Sequence, residues 1–511
     1  MKKKVVFALA VMLLMSVYSV GAAHFHETIG TLGEPGTIMI GELPATPDPD
    51  KPVLLFVQGL TNDSTAWYEG NDMYARAVVG GYETAFVELY DSGGEPRSYW
   101  DNGAMLANQI EQISSYYGGK DIVIIGYSKG GVDAQAALIH YGKHHLVRDV
   151  VTIGSPHYGS ELADLAHSKW AGWLAALIGA RSEGTESLQT GTMNHFRSIT
   201  DSRWEAFENT YYTIAGDRAG PLFSSYFTGG LFIPGPSDGV VSVASAQLPY
   251  GHNLGIRHWN HGEVLQGQRS FPLFESILSS PLISKEGKAT VEERDDVDVL
   301  IRGGEHEGEK VEIIPIEEDV REVTLDWISS EKLMSVTLED PNNQVVKGSV
   351  TVSEGEGYFE GAWHHTITID KPLSGEWSFS ANSKGKSGYL LLASFDSPLN
   401  KQLDVKKGQG HNGWEISPAF TGALPYGAQP FNVSSFVEYS PALNKQGTKH
   451  SRRQKQSLEH RHHNNGKVPL PFLGEGSYNT TISIEGTTPN GQRFERTIID
   501  SVYIDHSGKS Y

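Results

Sequence analysis

The chain has 511 residues, a formal net charge of −20 and no cysteine. So acidic a balance argues against nucleic acid and other polyanions as partners, and without thiols there is no disulfide, no Cys-ligated zinc and no cysteine nucleophile. A chain of this length is expected to form two to four domains, each with its own core.

Met1-Lys2-Lys3-Lys4, an apolar run from Val5 to about Val20 and the small residues Gly21-Ala22-Ala23 have the layout of a bacterial secretory signal peptide, residues 1–23, cleaved near Ala23. The apolar run is shorter than the ~20 residues a membrane span needs, and no second run of that length follows. The mature chain is therefore expected outside the cell without a transmembrane segment. Residues 24–283 read as an α/β domain. Val53-Leu54-Leu55-Phe56-Val57, Thr84-Ala85-Phe86-Val87, Ile122-Val123-Ile124-Ile125 and Val150-Val151-Thr152-Ile153 are continuous apolar strands. They alternate with helical spacings: Leu106, Ile110 and Ile113 in one segment, Val132, Ala136 and Ile139 in another. That alternation predicts a mainly parallel sheet covered by helices.

Near Pro281 helical periodicity stops, and residues 284–400 read as short alternating strands of a β-sandwich, with Tyr389-Leu390-Leu391-Leu392 as one clear strand. Residues 401–511 carry a second β-rich pattern, with a hairpin around Pro489-Asn490-Gly491. Within it a basic tract at about 445–467 lacks periodicity and reads as a linker. His460, His462 and His463 lie in that tract and read as solvated residues rather than a metal site.

Gly126-Tyr127-Ser128-Lys129-Gly130 matches the Gly-x-Ser-x-Gly nucleophile elbow, in which flanking glycines permit a tight strand-to-helix turn presenting the serine hydroxyl. Chance alone supplies on the order of half a match in a chain this rich in glycine. The context decides: a strand ends directly before the motif and a helix opens directly after it. A serine hydroxyl needs a histidine base, and that histidine needs a carboxylate to set its tautomer. The fold orders them serine, acid, histidine. Asp238, in the Pro- and Gly-rich stretch Gly235-Pro236-Ser237-Asp238-Gly239, is the best acid, ahead of Asp201 and Asp217. His252, His258 and His261 all precede a helix predicted from about Glu263, and position alone does not separate them. An oxyanion site needs two backbone donors, one of them the amide after the nucleophile, which is Lys129.

Four stretches in order resemble the bacterial true lipases, the secreted triacylglycerol lipases of the Pseudomonas and Burkholderia kind. They are Val57-Gln58-Gly59-Leu60, Gly126-Tyr127-Ser128-Lys129-Gly130-Gly131, Gly154-Ser155-Pro156-His157-Tyr158-Gly159-Ser160, and Ser237-Asp238-Gly239-Val240-Val241-Ser242 followed by Trp259-Asn260-His261. The resemblance covers about residues 50–280 and none of the C-terminal half. It implies an α/β-hydrolase fold, Ser128 as nucleophile, Asp238 as acid, His261 as base and the Leu60 amide as second oxyanion donor. Gln58 departs from it, standing where a histidine usually precedes the glycine. Trp170, Trp173, Leu174, Leu177 and Ile178 form one apolar helix face in an insertion at about 160–200, where these lipases carry a lid; the face reads as a lid or acyl pocket, with an ordinary core helix as the alternative. His157 reads as structural. No organic cofactor is required. The resembled lipases bind a structural calcium near the catalytic histidine, for which Glu263 and Asp217 are the candidates here.

The expected function is thus a secreted lipase acting on lipid or another ester at an interface. The alternatives are a carboxylesterase or polyester depolymerase whose β-domains attach it to a surface, and a non-catalytic surface-binding protein on a hydrolase scaffold.

Overall fold

The computed structural model describes residues 23–177, 179–279, 297–346, 350–408, 413–418, 431–443, 455–460, 463 and 466–511, without the side chains of 173, 176, 177 and 418. Residues 1–22 of the predicted signal peptide, the boundary near Pro281, Ile178, His462 and most of the basic tract lie outside these residues.

The first half is built on an eight-stranded sheet of β1 (Phe25–Ile29), β2 (Ile38–Gly41), β3 (Val53–Val57), β4 (Thr84–Val87), β5 (Ile122–Tyr127), β6 (Val147–Ile153), β7 (Thr210–Gly216) and β8 (His252–Arg257), in the order β1-β2-β4-β3-β5-β6-β7-β8. From β4 to β8 neighbouring strands are parallel; β1 and β2 add an antiparallel edge. Its helices are α1 (Met73–Val79), α2 (Tyr99–Tyr116), α3 (Lys129–Gln135), α4 (Glu161–Ala166), α5 (Gly172–Leu177), α6 (Glu183–Ser187), α7 (Thr190–Thr200), α8 (Ser225–Phe232), α9 (His261–Val264) and α10 (Gly267–Ser279). Every residue of β3 is buried because the sheet is covered on both sides. Leu55 and Val57 pack with Leu106, Ile110 and Ile113 of α2, whereas Leu54 and Phe56 pack with Met73 of α1 and Phe271 of α10. Burial on both faces is what turns a parallel strand into an uninterrupted apolar run.

The second half is antiparallel. β9 (Val299–Ile316), β10 (Glu322–Ser329), β11 (Ser335–Glu339), β12 (Thr351–Glu354), β13 (Trp363–Asp370) and β14 (Gly375–Asp396) form one sheet, in which the long strand β14 pairs with β9, β10 and β11. β15 (Leu403–Lys407), β16 (Trp414–Pro418) and β19 (Lys467–Val468) form a second, and β17 (Phe431–Pro441), β18 (Gln456–His460), β20 (Gly476–Thr487) and β21 (Arg493–Ile504) a third; these two share one apolar core. The predicted hairpin is β20–β21. The basic tract is not a linker throughout: Gln456–His460 pairs with Ser435–Tyr439, so the backbone hydrogen bonds of a neighbouring strand order a segment whose side chains show no pattern.

Alternation along β14 joins the halves. Leu391, Ala393 and Phe395 enter the core of their own sheet, while Leu390 and Leu392 point the other way, with Val299, Ile301 and Ile328, onto Leu162 and Leu165 of α4, Ala171 before α5 and Leu174 within it. Of the apolar face predicted in the 160–200 insertion, Leu174 and Trp170 are therefore packed against the β-half rather than open to solvent.

Candidate active site

Ser128 ends β5 and precedes α3 with φ 51° and ψ −128°, a backbone state that costs about 1–3 kcal/mol and persists only where its surroundings enforce it. Glycines provide the room. A Cβ on Gly126 would lie 2.9 Å from Gly131 backbone, and one on Gly130 would lie 2.4 Å from the Gln58 carbonyl oxygen. The Ser128 N–H donates to the Ile153 carbonyl at 2.8 Å, which ties the turn to β6.

His261 Nε2 lies 3.1 Å from Ser128 Oγ, and His261 Nδ1 lies 2.7 Å from Asp238 Oδ2. The other carboxyl oxygen, Asp238 Oδ1, accepts the Val240 and Val241 N–H groups at 3.0 and 2.8 Å. Its tight turn thus leaves Oδ2 to the imidazole. His261 is the first residue of α9, capped by Asn260 and Glu263. Its N–H donates to the Asp238 carbonyl, its own carbonyl accepts from Tyr127 Oη at 3.0 Å, and the Tyr127 ring lies 5.0 Å from the imidazole. Fractional exposures of 8 % for Ser128, 6 % for His261 and 1 % for Asp238 place the row in a desolvated setting. There an imidazole can take the hydroxyl proton while the carboxylate stabilises the resulting cation.

The rivals lie elsewhere. His252 begins strand β8, His258 is exposed and pairs with Asp217 at 3.1 Å, and Asp201 is engaged by Arg197 and Tyr250. β8 is half-exposed and carries no apolar run, so its sequence gives little strand signal. His157 is buried, with its ring nitrogens 3.2 Å from Gln135 Oε1 and 3.1 Å from Thr152 Oγ1, and burial holds its imidazole well below the ordinary range.

The oxyanion candidates flank the serine. Lys129 N–H opens α3, where a helix leaves its first amides without internal partners. The segment carrying Leu60 runs against Ser128: a Cβ on Gly59 would lie 2.9 Å from Ser128 Cβ. Thr61, next along, has φ 58°, and its N–H donates to Asp91 Oδ1 at 3.4 Å. Gln58 is buried and donates to Ser92 Oγ at 3.0 Å, which holds the loop where a histidine would stand in the resembled lipases.

Sequence reasoning missed several contributors. Gly154 has φ 58°, and a Cβ there would lie 3.3 Å from both the His261 ring and Asp238 Oδ2; one on Gly216 would lie 2.9 Å from Asp238 Cβ. Glycine at the end of a central strand was the available signal. Tyr226 of α8 packs beside Gly262 on one side and Gly357 of the β-half on the other. Leu174 is buried between the halves, and Trp170 packs at the edge of the same cluster with Lys169 Nζ 4.7 Å above its ring. Of the proposed calcium ligands, Glu263 is engaged by Arg218 and Arg269 and Asp217 by His258. Two guanidinium groups already neutralise the Glu263 carboxylate. Among the described residues no group of three or more His, Asp or Glu side chains is placed to hold a metal ion.

The model of the α/β hydrolase fold matches residues 52–237. The crystal structure of Bacillus licheniformis lipase BlEst2 in propeptide form is similar at 34 % identity over 94 % of this chain and 99 % of that one, with a TM-score of 0.78. The same lipase in mature form is similar at 42 % identity over 48 % of this chain and 99 % of that one, with a TM-score of 0.45. No curated protein matches the chain. The kinship with lipases and esterases is thereby shown at the level of the α/β hydrolases, without the specific tie to the Pseudomonas and Burkholderia lipases. The chain belongs to the α/β-hydrolase family of lipases and esterases that includes Bacillus licheniformis lipase BlEst2.

Proposed function

We propose that this ester hydrolase is a secreted triacylglycerol lipase that works through an acyl-enzyme on Ser128. The observation that carries the reading is the continuous hydrogen-bonded row from Ser128 Oγ through the His261 ring to Asp238. Ser128 Oγ bonds to the ester carbonyl carbon as its proton passes to His261 Nε2, and the carbonyl electron pair moves onto oxygen, facing the Leu60 and Lys129 amides. Collapse expels the alkoxide, which takes the proton from His261. Water, deprotonated by the same nitrogen, then attacks the acyl carbon and releases the acid and Ser128. Secretion is supported by the layout of residues 1–23.

Ser128→Ala tests the chemistry. Ester hydrolysis falls by about 10⁴- to 10⁶-fold, and labelling by a fluorophosphonate, seen in the unsubstituted protein, disappears. A folded parent chain that takes no label would make it a binding protein on a hydrolase scaffold. Rates on emulsified triglyceride against short p-nitrophenyl esters separate lipase from carboxylesterase: a steep fall beyond short acyl chains favours the latter.

A second reading concerns the β-half. The structure similar over 94 % of this chain is described as a propeptide form, and here the β-half buries α4 and α5 and places Gly357 against Tyr226, which in turn packs beside Gly262, next to His261. We infer that the β-half is a propeptide that restricts substrate access until it is removed, rather than a device for surface attachment.

A further inference from the structure

Behind the oxyanion candidates lies a buried charged cluster that the mechanism above does not use. Lys129 Nζ, fully enclosed, faces Asp133 at 2.9 Å and Asp91 at 3.3 Å. Asn102 of α2 donates to both carboxylates, at 2.9 Å to Asp133. Burial alone would discharge the ammonium, but the facing Asp133 and Asp91 outweigh it and hold Lys129 charged.

Two features set Asp91 apart from an ordinary buried counter-ion. Asp133 already offers Lys129 both of its oxygens, at 2.9 and 3.0 Å, so pairing the ammonium does not require a second carboxylate. And Asp91 reaches in two directions: Oδ2 faces Lys129 Nζ, while Oδ1 accepts the Thr61 N–H. Thr61 and Ser128 are both non-glycine residues with positive φ, and each adjoins one oxyanion donor, Leu60 and Lys129 respectively. Left-handed backbone at such residues relaxes unless it is held. Asp91 itself sits in a short 3-10 turn, Tyr90–Gly93, fixed by the Tyr90 N–H to Asn102 Oδ1.

We propose that Asp91 is a positioning residue for the oxyanion site, a single side chain that holds the Leu60–Thr61 loop and the Lys129 helix start in one register so that both amides meet the same oxygen. This rests on the Ser128 reading given above. Asp91 touches no substrate; it acts through the placement of two backbone donors. Loss of the clamp therefore weakens the charged transition state far more than the neutral ground state, a signature that general destabilisation does not produce.

The test uses the full chain with p-nitrophenyl butyrate as substrate and a trifluoromethyl ketone as a probe that forms a tetrahedral oxyanion. Asp91→Ala lowers kcat by about 10²- to 10³-fold, the range for a lost oxyanion donor, with KM changed less than about threefold. Ketone affinity falls in the same proportion as kcat/KM. Asp91→Asn, which keeps an acceptor for Thr61 but removes the charge facing Lys129, recovers at least about tenfold of the loss. A folded Asp91→Ala protein with kcat within about threefold of the parent, or one whose KM alone rises, overturns the proposal. Should Asp91→Ala not fold, Asp91→Asn decides: reduced kcat and ketone affinity at constant KM support it, and unchanged values overturn it. Ser128→Ala keeps the two claims apart. If that variant remains active the Ser128 reading fails, whereas its inactivity beside an unimpaired Asp91→Ala removes only the role of Asp91.

Discussion

Single glycines decide whether the row Ser128, His261, Asp238 can form. Gly154 lies under the His261–Asp238 bond with φ 58°, and a methyl group there would press on both partners from 3.3 Å while the backbone resisted its own angle. Gly154→Ala is expected to lower kcat by about 10- to 100-fold, since small displacements of reacting groups have effects of that size. Circular dichroism should show a folded protein, and kinetics on a short p-nitrophenyl ester read the change; an unaltered kcat would refute the assignment. Ser128 and Asp238 could be singled out in the sequence as candidates because each sits in a short motif whose residue types follow from its backbone. His261 was separable from His252 and His258 only through family resemblance, because the 2.7 Å bond to Asp238 depends on how two loops meet across the sheet edge. Asp91 was not legible: it lies in a short 3-10 turn with no pattern, and its contacts to Thr61 and Lys129 span 30 and 38 residues.

At the scale of elements, α8 and β13 meet through a buried polar row. His364 Nδ1 lies 2.7 Å from Asp326 Oδ2, His364 Nε2 lies 3.2 Å from Ser225 Oγ, and Thr228 Oγ1 donates to Asp326 at 2.6 Å. Burial works to raise the Asp326 carboxyl, yet the charge and hydrogen bond of His364, with Thr228 and Thr366, bring it below its ordinary value of 3.8. A carboxyl depressed in the folded state contributes stability above its unfolded pKa and loses it as pH falls through the folded value. Asp326→Asn is therefore expected to destabilise the chain by about 3 kcal/mol at pH 7, with the gap to the parent closing below the ordinary carboxylate range. Urea denaturation from pH 7 to pH 2 measures it, and a gap that stays constant throughout contradicts the account. The central strands were legible as apolar runs, whereas β8 and β18 were not, because half-exposed or edge strands owe their form to a neighbour's backbone.

For the whole molecule, the coupling of two halves is the main finding that no motif announced. The apolar face on Trp170 and Leu174 signalled burial against something, and only the fold shows that Leu390 and Leu392 supply it. Limited proteolysis that separates the β-half is expected to expose Leu162, Leu165 and Leu174, and with them an apolar surface suited to lipid. Activity on emulsified triglyceride then rises at least severalfold, and binding of a hydrophobic dye rises with it. Cleaved protein with no gain on emulsions would remove the propeptide reading while leaving the Ser128 chemistry intact.

The two-faced strand β14 also sets a clock. Leu165 and Leu174 leave the ribosome some 200 residues ahead of Leu390 and Leu392, so at about 5–20 residues per second the catalytic half waits on the order of 10–40 s for its cover. During that interval its greasy face has only water, a chaperone or another nascent chain to meet. Synthesis of this protein is therefore most vulnerable to aggregation in mid-chain, and a premature stop before residue 390 leaves a product whose apolar face has no cover.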